Sequence, residues 1–215
     1  MRAIVLAAVL ALGACAGSPP APDWQAEAHG GLKNFEKAWL EGRTRAAEQE
    51  FARARKALTA TGRAELVARA ELVRCAARVA SLDIDDCPGY RALAADAEPP
   101  ERAYAAYLTG KASGEETGLL PAHHRAIAAG DGGALAAIED PFARLVAAGV
   151  LFRQGNITPS GISLAVEAST ANGWRRALLA WLGVQEKRAE QAGDRAAADA
   201  IRRRIRLVTG ETGDR

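Results

Sequence analysis

The segment from Arg63 to Leu82 constrains the fold of this chain more than any other, because it needs neighbours on two sides. At about 100° per residue, Leu66, Ala70, Val73, Ala77 and Ala80 form one apolar stripe. Ala68, Leu72, Cys75, Val79 and Leu82 form a second on nearly the opposite face. A helix with two such stripes belongs in the middle of a layer, as in stacked helical hairpins, and not at the edge of a simple bundle. Charges fill the seams between, with Glu65 and Arg69 at i,i+4 spacing and Glu71 and Arg74 at i,i+3. Each such pair is worth only about 0.2–0.5 kcal/mol.

The rest of the chain is made of similar material. Alanine, leucine, arginine and glutamate dominate, and aromatic residues make up 5% of the chain, so helix propensity exceeds strand propensity in most windows. Periodicity and punctuation predict helices over Asp23 to Glu41, with Leu32, Phe35 and Trp39 on one face, and over Arg43 to Thr61, with Gly42 and Gly62 past their ends. The centre is more broken. Cys87-Pro88-Gly89 and Pro99-Pro100 interrupt it, Glu101 to Thr109 carries Tyr104, Tyr107 and Leu108, and a glycine-containing stretch covers Gly110 to Gly118. Pro121 suits the first turn of a helix holding His123 and His124, and Asp140-Pro141 starts another. Helix resumes after Pro159. The last hairpin is Trp174 to Ala192, a Gly193-Asp194 turn, and Arg195 to Val208 with Ala198, Ile201, Ile205 and Val208 on one face. The expected class is all-α: stacked antiparallel helical hairpins, arranged as an α-solenoid or an irregular helical bundle, with one disulfide.

Ala47, Phe51 and Ala54 have the four-then-three spacing of the second helix of a tetratricopeptide repeat, and this stretch resembles a degenerate member of that family. There, small residues let two helices approach and the aromatic fills the gap. The resemblance implies a hairpin solenoid. The chain departs from the pattern upstream, where the family's tryptophan and glycine are missing, and at Thr59, which stands in place of proline. Ala38-Trp39-Leu40 reappears as Ala180-Trp181-Leu182, but the turn glycines do not align under that offset, which marks shared helical composition and not a repeat.

At the N-terminus a single charge, Arg2, precedes an uninterrupted apolar run from Ala3 to Ala14. A spanning helix needs roughly 20 apolar residues, so the run is short for a membrane span and has the layout of an export signal. Leu12-Gly13-Ala14-Cys15 resembles the lipobox of bacterial lipoproteins. That resemblance implies diacylglycerol on Cys15, cleavage before it and acylation of the new amino terminus. At about 0.8 kcal/mol per buried methylene, three acyl chains hold a protein stably on a membrane. Ala16 after the cysteine, under the sorting rule of enteric bacteria, implies the inner leaflet of the outer membrane, facing the periplasm. Ser18-Pro19-Pro20-Ala21-Pro22 reads as a stiff tether. The chain thus divides into a cleaved signal (1–14), a lipidated cysteine and tether (15–22), a helical domain (23–210) and a C-terminal tail (211–215).

Three cysteines become two once Cys15 carries lipid. Export makes a bridge between Cys75 and Cys87 the expectation, two buried free thiols being the alternative. If the helix ends near Leu82, Cys75 lies about 10 Å back from its end and the five residues to Cys87 reach roughly 16 Å, so the bridge can close.

Chemistry is less legible. His123 and His124 are adjacent, point about 100° apart on a helix and cannot form the i,i+4 pair of a helical zinc site, which makes them solvated or packed. Asp83, Asp85 and Asp86 lack the glycine and distal glutamate of a calcium loop, and Gly161-Ile162-Ser163-Leu164-Ala165 only half resembles a nucleophile elbow. Arg202, Arg203, Arg204 and Arg206 read as a solvated helix face, and Trp24, Trp39, Trp174 and Trp181 as core, with Trp24 next to the tether the one to watch. The net charge of +2 argues against nucleic acid. No catalytic residue, cofactor or metal is assigned. The expected function is a non-enzymatic protein–protein interaction or assembly adaptor of the cell envelope, held to the membrane through Cys15. The alternative is a helical cell-wall hydrolase such as a lytic transglycosylase, although the glutamate-serine motif of those enzymes is not matched.

Overall fold

A computed structural model of the protein describes residues 22–211. The signal segment, Cys15, the tether up to Ala21 and tail residues 212–215 lie outside the described residues. The helices are α1 (Asp23–Leu40), α2 (Thr44–Thr59), α3 (Ala64–Ala80), α4 (Pro88–Arg91), α5 (Pro99–Leu108), α6 (Glu116–Leu119), α7 (Ala122–Ala128), α8 (Pro141–Arg153), α9 (Pro159–Ala171), α10 (Arg175–Gln191) and α11 (Arg195–Thr209). Two 3-10 segments, Ala94–Asp96 and Gly132–Ala137, complete the helical elements, and the described residues contain no strand. No described helix is long and apolar enough to cross a membrane.

Starts are chemically marked where the sequence marks them. The side chains of Asp140, Thr158 and Asp194 accept hydrogen bonds from the backbone N–H groups of Ala143, Gly161 and Ala197, and proline follows the first two. Gly161 to Ala165 therefore opens the capped helix α9, and Ser163 Oγ donates back to the Pro159 carbonyl at 3.2 Å. It is not a strand-to-helix elbow.

The all-α architecture of stacked hairpins is as expected, and α3 is its axis. Ten of its 17 residues are buried, among them members of both stripes, and it packs against α1 and α2 as well as α5 and α8. Between its two arginines helix α8 is apolar all round, with every residue from Leu145 to Leu151 buried, as befits a helix enclosed by α3, α7 and α9. Where α8 crosses α3, Gly149 lies so close that an added Cβ would sit 2.3 Å from the Val79 carbonyl oxygen. The α1–α2 hairpin closes in the same manner. Gly31 faces Ala54, and the Phe35 and Phe51 ring centroids are 5.2 Å apart.

The two similar tripeptides have a common structural use. Trp39 Nε1 donates to Ser81 Oγ and Trp181 Nε1 to the Ala80 carbonyl, each at 3.0 Å, so α1 and α10 both dock on the end of α3. The Arg176 guanidinium, 3.8 Å above the Trp39 ring, joins α10 to α1 directly. Trp174 is buried and Trp24 is partly buried against the core.

The ion pairs expected along α3 are not the ones that form. Glu65 meets Arg63, Arg69 meets Glu101 of α5 at 2.6 Å, Glu71 meets Arg55 of α2 at 2.9 Å, and Arg74 meets Glu48 of α2 at 2.9 Å. The reason is burial: a seam on a helix covered from two sides faces other helices, so a carboxylate such as Glu71, 7% exposed, needs a cation from the helix that covers it.

Cys75 and Cys87 are placed as a disulfide, their Cα atoms 5.3 Å apart, which fixes the loop after α3. Within it Leu82 and Cys87 adopt left-handed backbone conformations at φ 57° and 49°. Arg78 pairs with Asp83 and Asp85, while Arg153 of α8 bonds the Asp85 carbonyl at 2.7 Å and Asp86 Oδ1 at 2.6 Å. Each acidic side chain of this loop is answered by an arginine. That is the chemistry of a folded corner and not of a cation-binding loop.

Candidate functional site

Three pieces of chain far apart in sequence build an open pocket of about 380 Å³ on one side of α3. Helix α3 presents Arg69, Leu72 and Val73. Helix α5 contributes Pro100, Glu101 and Tyr104, its first turn positioned by prolines whose missing N–H groups the helix start does not need. The third wall is Leu119, Leu120 and Pro121, where α6 ends and the chain runs extended at Leu120 (ψ 155°) into α7. That change of direction separates the two leucines: Leu120 is fully buried, and Leu119 stands 46% exposed at the rim.

One end of this apolar pocket is ionic. Glu101 is 5% exposed and its Oε1 accepts a hydrogen bond from Arg69 Nε at 2.8 Å, with Arg69 Nη2 in ion-pair contact at 2.6 Å. Its Oε2 is buried and has no hydrogen-bond partner. A carboxylate oxygen held that way costs desolvation energy that no native contact returns, on the order of 1–3 kcal/mol for a buried polar atom.

Tyr104 links the pocket to an aromatic and acidic cluster behind it. Its ring lies 6.0 Å from Tyr107 and 5.8 Å from His124, and the Tyr107 hydroxyl is 3.1 Å from His124 Nδ1. Burial, with a smaller contribution from His123, lowers the His124 pKa from 6.5 to about 3, so the imidazole is neutral at any ordinary pH. Burial pushes both tyrosine hydroxyls well above their usual range. On α1, Glu36 is raised from 4.5 to about 7, first by burial and then by the charge of Asp140, against a weaker lowering by Lys33. Its charge in turn contributes to the upward shift of Tyr104, after burial.

Residues singled out in the sequence are distributed otherwise. His123 is solvated and His124 packed against the tyrosines. Arg202 pairs with Glu186, Glu190 and Asp199, Arg204 donates to Thr170 Oγ1 at 2.8 Å, and Arg203 and Arg206 are exposed. Cys15 lies outside the described residues. Glu36 and Glu101 were not anticipated. Glu101 carries one weak sequence signal, an acid in the first turn of a proline-started helix, while its partner Arg69 is 32 residues away. Comparison with family models, with curated proteins and with solved structures found no match.

Proposed function

We propose that this chain is a lipoprotein of the bacterial outer membrane, anchored through Cys15 to the inner leaflet and facing the periplasm, where its helical domain acts as a non-enzymatic adaptor for another envelope protein. The anchor reading is supported by Leu12-Gly13-Ala14-Cys15, and the paired Cys75 and Cys87 suit an oxidising compartment. The observation that carries the adaptor reading is the open pocket on α3, with an exposed leucine at its rim and walls that are aliphatic and aromatic. Apolar concavities of this kind on a protein surface are where other molecules dock. The degenerate tetratricopeptide spacing of Ala47, Phe51 and Ala54 agrees with a hairpin scaffold of the type used for interaction surfaces.

A photoreactive side chain placed at Leu119 in living cells tests this. The adaptor reading expects a discrete adduct with an envelope protein, lost when Cys15→Ser releases the chain from the membrane. No adduct from this face, or one unaffected by Cys15→Ser, contradicts it.

One observation favours a second reading. Burial raises the Glu36 carboxyl to about 7, so it can carry a proton near neutral pH, the state that the general acid of a cell-wall hydrolase requires. Release of muropeptides from purified sacculi by the wild-type protein but not by Glu36→Gln would select that reading over the adaptor.

A further inference from the structure

Helix α11 carries charge that the fold does not use. Its 15 residues hold five arginines against one aspartate, a net of +4 in a chain whose total is +2, so the rest of the chain is net acidic. One of the five is neutralised within the protein: Arg202 pairs with Glu186 and Glu190 of α10 and with Asp199, the helix's own acid. Arg195, Arg203, Arg204 and Arg206 form no ion pair among the described residues, Arg204 bonding instead the neutral Thr170 hydroxyl of α9. Helix stability does not ask for them. A cation in the last turn answers the negative helix end, which Arg206 alone supplies, and Arg195 stands in the first turn, where a cation is unfavourable.

The helix presents these charges together. It is the last of the stack and packs chiefly on α10, with Ala198 buried and Ile201, Ile205 and Val208 partly buried against the core. Ala196, Ala200, Arg203 and Leu207, at i, i+4, i+7 and i+11, run along the opposite face and are all exposed, Leu207 by 67%. Arg204 and Arg206, also exposed, border this stripe on its two sides. The surface is a convex ridge and not a pocket: alanines that permit close approach, guanidiniums beside them, and one leucine that gains by leaving water. Guanidiniums bond phosphate oxygens two at a time. A planar array of phosphates over hydrocarbon answers the shape, the charges and the leucine, whereas a nucleic acid answers the charges and leaves Leu207 solvated. Seven residues, Ala16 to Pro22, link Cys15 to α1 and extend to about 25 Å at most, so a domain anchored at Cys15 is held against such an array.

We infer that α11 is a second membrane contact, its outer face lying on an anionic phospholipid bilayer with Arg203, Arg204 and Arg206 on headgroup phosphates and Leu207 at the headgroup–acyl boundary. The inference rests on the anchor reading for bringing the bilayer within reach, and on the helix alone for its chemistry. Two attachments fix how the domain faces the membrane, where a tether alone leaves it free to turn.

The test is flotation of the mature polypeptide, residues 15–215 with Cys15→Ser, which keeps every described residue and carries neither acyl groups nor the apolar run. The probes are vesicles of phosphatidylcholine alone and of phosphatidylcholine mixed with phosphatidylglycerol, at low and at high salt. The polypeptide is expected to float with the anionic vesicles at low salt, and not with neutral vesicles or at high salt. A basic residue near such a surface changes partitioning about fivefold, so Arg203→Gln with Arg206→Gln is expected to weaken flotation about 25-fold. Leu207→Asp is expected to weaken it several-fold. All three positions are exposed, so folding is not at stake. Arg53→Gln with Arg63→Gln, an equal loss of charge at exposed arginines that already pair with Glu50 and Glu65, is expected to leave flotation unchanged. No flotation with anionic vesicles, equal flotation with neutral ones, no loss in the α11 variants, or the same loss in the Arg53 and Arg63 pair overturns the inference. A wild-type chain lipidated on Cys15, alongside a polypeptide that ignores anionic vesicles, removes the second contact and leaves the anchor. Flotation that depends on Arg203 and Arg206, alongside a wild-type Cys15 that bears no lipid, removes the anchor and leaves the basic face.

Discussion

Replacing Gly149 by alanine probes the crossing on which the whole layer depends. A Cβ at this position would lie 2.3 Å from the Val79 carbonyl oxygen, 2.8 Å from Val79 Cγ1 and 2.9 Å from the Val79 carbonyl carbon, where ordinary contact begins at 3.4 Å. Two of those three atoms are backbone, so no rotamer change relieves the overlap, and α8 must move away from α3 by about 1 Å. Overpacking of this kind costs about 1–3 kcal/mol and more when backbones must part. Against this, alanine gains about 1 kcal/mol over glycine in a helix interior. A net loss of about 2 kcal/mol follows, which for a domain of this size lowers Tm by roughly 4–8 °C. Gly183 in α10 supplies the control, because a Cβ there meets nothing within 4 Å. Gly183→Ala should therefore raise Tm by roughly 2–4 °C through the helix-propensity gain alone. Thermal and urea unfolding of the two variants, followed by far-UV circular dichroism, measures both. If Gly149→Ala is as stable as the parent, or if both substitutions shift Tm in the same direction, the close α3–α8 crossing is wrong.

Other expectations concern charge, bridge and hydrogen bonds. In the unfolded chain Glu36 loses its proton near 4.5 and in the folded chain near 7, so the native state holds the extra proton between these values and stability falls as pH rises through them. His124, depressed from 6.5 to about 3, acts in the opposite sense, its contribution being lost as pH falls through that range. Glu36→Gln should thus be more stable than wild type at pH 8 by about 1–2 kcal/mol after allowance for solvent screening, with the gain shrinking to zero near pH 4.5; parallel urea profiles for the two proteins would refute the burial of this carboxylate. Removing the bridge with Cys75→Ala and Cys87→Ala together should lower the unfolding free energy by about 3 kcal/mol, the loop-closure value for a separation of 12 residues, and make the protein insensitive to reductant. Ser81→Ala should cost about 1–3 kcal/mol in chemical denaturation, because it leaves the buried Trp39 indole N–H unpaired; no change would mean that the α1–α3 contact is not as described.

How much of this was readable from the residues depended on the length of the element. Long alanine- and leucine-rich helices punctuated by Gly42, Gly62 and Gly193 declare themselves, because 15 or more residues carry several turns of apolar period. The two stripes of α3 foretold the central position it occupies. Helices α4 and α6, of four residues each, carry no period at all and were legible only as prolines and glycines. The pocket is assembled where those short pieces lie, from residues near 70, 100 and 120, so its geometry has no local signature. Charge pairing was misjudged for a related reason: i,i+4 spacing describes an isolated helix, whereas Arg69 and Arg74 sit on one that other helices cover. The repeated tryptophan tripeptide held a true signal that spacing alone did not interpret, namely two indoles docking on adjacent residues, Ala80 and Ser81.

The lipid anchor proposed for this helical domain is tested most directly at the mature N-terminus. Intact-mass measurement of the protein extracted from membranes should give a chain beginning at Cys15 and carrying the added mass of a diacylglyceryl group and a further acyl chain. A mature chain that begins elsewhere, or one whose Cys15 bears no lipid, contradicts the account.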